Sequence, residues 1–127
     1  MTTPQDLMKL GEALIAHCKE GQEEALWDGF YTADAVSVES MPMPDGQREA
    51  QGLGAIRAKN TWWSGAHEVH AMEVEGPYVH GSDRFCVIFA LDATVKETQE
   101  RFQMREVATY YVNSEGKINR EEFAYAV

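Results

Sequence analysis

The chain has 127 residues, the length of one ordinary domain, and a domain of that size buries roughly two-thirds of its unfolded surface without needing staples. Its 44% hydrophobic and 10% aromatic content excludes a disordered chain. Acidic residues outnumber basic ones 21 to 11, and the formal net charge of −10 repels a phosphate backbone, so no nucleic-acid partner is expected. No apolar run approaches the ~18–20 residues of a membrane span. Residues 1–14 lack the basic start and uninterrupted apolar stretch of a secretion signal. Cys18 and Cys86 make neither a disulfide framework nor a metal-ligand spacing. The expectation is a single domain over 1–127, soluble and cytoplasmic, with no metal site and no membrane partner.

Helices come first. Thr3 can cap a helix whose first position is Pro4, with Asp6 three residues past the cap near the positive end of the dipole. Leu7, Leu10, Leu14 and Cys18 follow helical spacing, and Gly21 is a natural stop. Gln22 to Tyr31 reads as a second, shorter helix carrying Leu26, Trp27 and Phe30. Ala35 to Glu39 alternates with period two, as a short strand does, and Met41 to Gly46, with two prolines and a glycine, is a loop. A third helix runs from Leu53 to about Ser64, with Leu53, Ile56 and Trp63 on one stripe. Strands follow: His67 to Glu75, ended by Gly76-Pro77; Arg84 to Lys96; Arg101 to Val112; and Lys117 to Tyr125 after a glycine-containing turn. Helices grouped ahead of a strand meander predict an α+β domain with a curved antiparallel sheet wrapped over the helices.

Glu106 breaks the pattern of its strand. Alternation puts Phe102, Met104, Glu106, Ala108, Tyr110 and Val112 on one face, so a carboxylate stands in an apolar row. Burial without a partner costs several kcal/mol or drives the group to neutrality. Two alternatives stay open: a structural partner satisfies it, or it faces a solvent-reachable cavity and binds or moves protons. Glu39 ends the short strand on the face of Ser37, and alternation gives His70 a face in common with Met72 and Val74. His70 is the candidate base near neutral pH. Glu39, His70 and Glu106 are thus the candidate catalytic residues. Arg120-Glu121-Glu122 reads as a solvated strand end, with Glu122 the member that could face in. Trp62 and Trp63 point about a hundred degrees apart on a helix, so one can be core while the other lines a rim. Trp27, Tyr31, Met41, Trp62, Trp63, Met104, Tyr110 and Tyr125 are the candidate ligand-binding residues, since apolar pockets use such side chains with a few polar groups for orientation. Gly52-Leu53-Gly54 lacks the third glycine of a dinucleotide fingerprint and follows a loop.

Three segments carry a resemblance. Phe30 to Glu39, a tyrosine followed by an acidic residue and a valine-containing strand, is similar to a signature of the SnoaL-like proteins; so are Gly54 to Lys59 and Val112 to Ile118. These proteins belong to the nuclear-transport-factor-2-like superfamily, with ketosteroid isomerase, limonene epoxide hydrolase and the polyketide cyclases. The resemblance implies a cone-shaped, cystatin-like α+β fold over the whole chain, a deep apolar pocket, and a homodimer through the outer sheet face. Aligned on Tyr31, Glu39 matches the general-base position of ketosteroid isomerase. Ala108 and Leu14 stand where that enzyme keeps its oxyanion-binding aspartate and tyrosine, and Phe123 where the epoxide hydrolase keeps its last-strand aspartate. Function classes therefore compete: a module that binds a small apolar molecule in the cone; a cofactor-independent isomerase, cyclase or lyase in which Glu39 or His70 removes a proton and Glu106 with Tyr110 donates to an enolate; and a protein–protein adaptor.

Overall fold

The computed structural model describes residues 2–126 other than 22. Its elements are α1 (Pro4–Lys19), α2 (Glu23–Gly29), β1 (Tyr31–Val38), β2 (Glu49–Gln51), α3 (Leu53–Ala66), β3 (His67–His80), β4 (Arg84–Val95), β5 (Glu100–Val112) and β6 (Ile118–Ala124). The α1 entrance is a full capping box: the Thr3 hydroxyl accepts from the Asp6 amide at 3.1 Å, and the Asp6 carboxylate accepts from the Thr3 amide at 3.0 Å. Gln22, expected to open the second helix, lies outside the described residues.

The six strands form one open sheet in the order β2-β1-β6-β5-β4-β3. Every pairing is antiparallel except β1 with β6, which is parallel, so the N-terminal strand docks beside the C-terminal one and the sheet is mixed. Two differences from the expected elements have local causes. β2 is only three residues long, too short for alternation to reveal. β3 continues through Gly76-Pro77, because it is an edge strand, where a proline removes no ladder bond the sheet needs.

The concave face of the sheet meets the helices. Leu7, Leu14 and Ile15 of α1 are buried with Ile56 of α3, Phe85, Val87 and Phe89 of β4, and Ala108, Tyr110 and Val112 of β5. Each large apolar side chain so buried is worth ~1.5–3 kcal/mol. Close approach of α1 to β3 depends on Gly11, where an added Cβ would come within 2.5 Å of Pro77. The architecture is an α+β cone, the N-terminal helices packed on an open mixed sheet. No helix among the described residues is long and apolar enough to cross a membrane.

Candidate functional site

β5 delivers the first polar group to the concave face. Its inward row holds Met104, Glu106, Ala108 and Tyr110, paired across β4 with Leu91, Phe89, Val87 and Phe85. Glu106 is half-buried and makes no hydrogen bond to any described residue, while apolar groups flank it. Burial, followed by the nearby Glu39 carboxylate, pushes its pKa up to about 7 against the opposing pull of Lys59. Tyr110 is 3% exposed, its ring stacked on Phe85 at 5.1 Å. Its hydroxyl also has no hydrogen-bond partner among the described residues. Desolvation and the Glu121 carboxylate hold its pKa well above the ordinary phenol value. Thr32 Oγ1 is the one solvent-excluded side-chain polar atom left unpaired among the described residues. The unpaired oxygens of Glu106 and Tyr110 therefore both border open space.

β6 delivers the second carboxyl, and the sequence reading placed it wrongly. Val112 pairs with Ile118 but Tyr111 pairs with Arg120, so a bulge at Asn119 shifts the phase of β6 by one residue. Glu121 consequently turns inward opposite Tyr110, and Phe123 opposite Ala108. Glu121 is 5% exposed and accepts from the Tyr31 hydroxyl at 2.6 Å. The nearby buried Ser37 favours the ionised carboxyl, but burial outweighs it and raises the Glu121 proton affinity above its ordinary value. Glu122, the residue expected to face in, lies on the outer face, accepting from Tyr111 at 3.0 Å and Arg120 at 2.9 Å.

α3 supplies the cation. Lys59 donates to Glu39 Oε2 at 2.9 Å and to Ser37 Oγ, with its ammonium 4.8 Å from the centre of the Phe123 ring. The other Glu39 oxygen accepts from Tyr125 at 3.0 Å. Burial and Glu39 push the Tyr125 phenol up to about 12. A polar chain thus runs from Tyr31 through Glu121, Ser37 and Lys59 to Glu39 and Tyr125. The signal for Lys59 lies in the stripe already read on α3: it is three residues beyond Ile56 and four before Trp63, a lysine on the inward face.

The other candidates distribute as follows. Trp27 and Tyr31 are buried, with the Arg57 guanidinium 5.6 Å from the Trp27 ring. Trp63 stacks at 4.3 Å on His67, which also meets Phe102 edge-on at 5.9 Å. Trp62 and Met41 are both 46% exposed. His70 is not brought to the concave face. A register shift between Val69 and Ala71 breaks the alternation assumed for it, and its Nε2 lies 2.7 Å from Thr94 Oγ1 on the outer face. Depressions of about 490 Å³ on the sheet, touching Met104, and about 680 Å³ beside α3, touching Trp62, are lined by none of Glu39, Glu106, Tyr110 and Tyr125. Among the described residues no group of three or more His, Cys, Asp or Glu side chains could hold a metal ion.

Residues 6–125 match the model of the SnoaL-like domain. The chain belongs to the SnoaL-like family. A candidate SnoaL-like polyketide cyclase of Mesorhizobium loti is similar at 38% identity over 92% of this chain and 97% of its own, with a TM-score of 0.83. Two more distant structures share the fold. An NTF2-like protein of Burkholderia xenovorans has 19% identity over 99% of this chain and 92% of its own, at a TM-score of 0.75. A Mycobacterium tuberculosis protein, solved with estradiol-17β-hemisuccinate, has 18% identity over 98% and 95%, at 0.74. A search of curated proteins finds no significant match. Leu14 and Ala108 are fully buried in the core.

Proposed function

We propose that this SnoaL-like domain binds a small, largely apolar molecule in the concavity of its sheet, the ligand's few polar groups held by Glu106 and Tyr110. The observation that carries this reading is the pair of unpartnered oxygens bordering open space in an apolar wall. Buried polar groups are otherwise paired, and apolar pockets orient ligands with a few such groups. The steroid conjugate held by the M. tuberculosis protein supports a ligand of that general kind. Isothermal titration with a panel of steroid-sized and smaller apolar molecules tests it. Saturable binding weakened several-fold by Tyr110→Phe is expected, since one hydrogen bond is worth about 0.5–1.5 kcal/mol. A folded protein that binds none of them contradicts the reading. The same reading takes the domain to be a homodimer through the outer sheet face, where Tyr78 and Val107 are exposed; a monomer mass in sedimentation equilibrium contradicts that part alone.

One observation favours a second reading, cofactor-independent proton transfer. A carboxyl titrating near 7 holds and releases a proton at neutral pH, as a general acid–base requires. Glu106 is better suited to this than Glu39, whose two oxygens are occupied by Lys59 and Tyr125. Deuterium incorporation from solvent beside the carbonyl of a bound ketone, lowered about a hundredfold or more by Glu106→Gln, is the expected result. Exchange unchanged in that variant contradicts it.

A further inference from the structure

The concavity is unbalanced in charge. Among the described residues three carboxyls face it, Glu39, Glu106 and Glu121, against one ammonium, Lys59. Glu39 is satisfied by Lys59 and Tyr125, and Glu121 by Tyr31. Lys59 is committed to Glu39 and Ser37. Glu106 alone of the three has no hydrogen bond to a described residue, and the buried Tyr110, whose hydroxyl likewise has none, stands on the same inward row of β5. A carboxyl in this position is relieved in two ways: it keeps a proton, or it receives a cation.

We propose that the ligand's polar end is an amine, bound as an ammonium against Glu106, and that the concavity excludes carboxylates. The inference rests on the ligand-binding reading above and names its substrate class. An ammonium brings hydrogen-bond donors to the carboxylate, and it restores the charge balance. A carboxylate placed there meets Glu106 and Glu39 and has no free cation to turn to.

Binding is then a cation-for-proton exchange. Where Glu106 is protonated, the arriving ammonium displaces its proton to solvent and pairs with the carboxylate that remains. The charged and titratable groups around Glu106 are Glu39 beyond β1, Lys59 on α3, Glu121 on β6, Tyr125 beyond β6 and Tyr110 on its own strand; its β4 neighbour is Phe89. The two carboxylates favour proton or cation uptake, and Lys59 opposes both.

The test uses the full chain and three probes sharing one apolar cage: 1-(aminomethyl)adamantane, 1-adamantanemethanol and 1-adamantanecarboxylate, titrated calorimetrically. The amine is expected to bind at least tenfold more tightly than the alcohol at pH 8, with the carboxylate weakest. Amine affinity should rise from pH 6 to pH 8 while alcohol affinity stays level. At pH 6, parallel titrations in phosphate and in a buffer of high ionisation enthalpy should report release of close to one proton per amine bound. Glu106→Gln, which preserves volume, should remove both the amine preference and the proton release while leaving alcohol binding in place. Equal affinities for amine and alcohol, or a preferred carboxylate, overturn the amine proposal and leave the ligand-binding reading standing. Failure of all three probes to bind overturns the proposal and counts against that reading too.

Discussion

Glu121 and Glu122 are consecutive residues on one strand and chemically opposite. Glu121 faces the concavity, where desolvation pushes its carboxyl up; Glu122 faces outward, where Arg120 and Tyr111 hold it below the usual range. The contrast extends across the two faces of the sheet. Outside, Asp92 is held down by the exposed Arg101, and Glu75 meets Arg105 at 3.3 Å in water. Inside, among the described residues, three carboxyls share one lysine amid phenyl and aliphatic groups, and Glu106 remains without a hydrogen bond. Residue type does not decide which carboxyl can do chemistry; the face on which the backbone presents it does.

The sharpest way to break this comparison is to remove the inner member. Glu121→Ala leaves the Tyr31 hydroxyl unpaired in the core and opens a cavity beside it, and is expected to cost about 2–4 kcal/mol in urea unfolding. A loss below about 1 kcal/mol would place Glu121 in the same category as its exposed neighbour. Next in size is a pH effect. Folded Glu106 keeps its proton up to about pH 7, whereas the unfolded chain releases it near 4.5. The folded state thus holds more protons between those values, so this group's contribution to stability is complete below 4.5 and is lost as pH rises through 7. Glu106→Gln abolishes the decline: equal to the parent at pH 4, the variant is expected to be more stable at pH 8 by up to ~3 kcal/mol. Parallel stability–pH curves for the two proteins would contradict this. Lys59→Met, which strips the partly buried Glu39 of its cation, is expected to cost about 1–3 kcal/mol at pH 7 and to move the Glu106 titration upward. The smallest change is outside. Glu122→Ala is expected to stay within about 1 kcal/mol of the parent, as for exposed ion pairs generally.

The same faces explain what the sequence could reveal. The α1 capping box and the inward row of β5 were legible because each depends on local spacing with nothing to interrupt it. Glu106 followed from strict alternation through β5, whose register with β4 is unbroken. Alternation failed where the ladder slips: the bulge at Asn119 exchanges Glu121 and Glu122 between faces, and the shift near His70 turns that histidine outward to Thr94. A bulge depends on pairing with a distant strand, so no local pattern announces it. Lys59 was visible as a lysine on an apolar stripe, but its partners at positions 37 and 39 required the packing of α3 on β1. The parallel pairing of β1 with β6 is likewise a product of topology, joining elements at opposite ends of the chain.

The central claim is that Glu106 is an unpartnered inward carboxyl poised near neutrality. Its titration can be followed by carbon-13 NMR of side-chain-labelled glutamate, with the Glu106→Gln variant identifying the resonance. The account expects one carboxyl, absent in the variant, to titrate with a midpoint near 7 while Glu122 titrates below the ordinary range. A Glu106 midpoint at the usual 4.5 would contradict it, because the group would then be solvated or paired and the concavity would lose its one uncommitted acid.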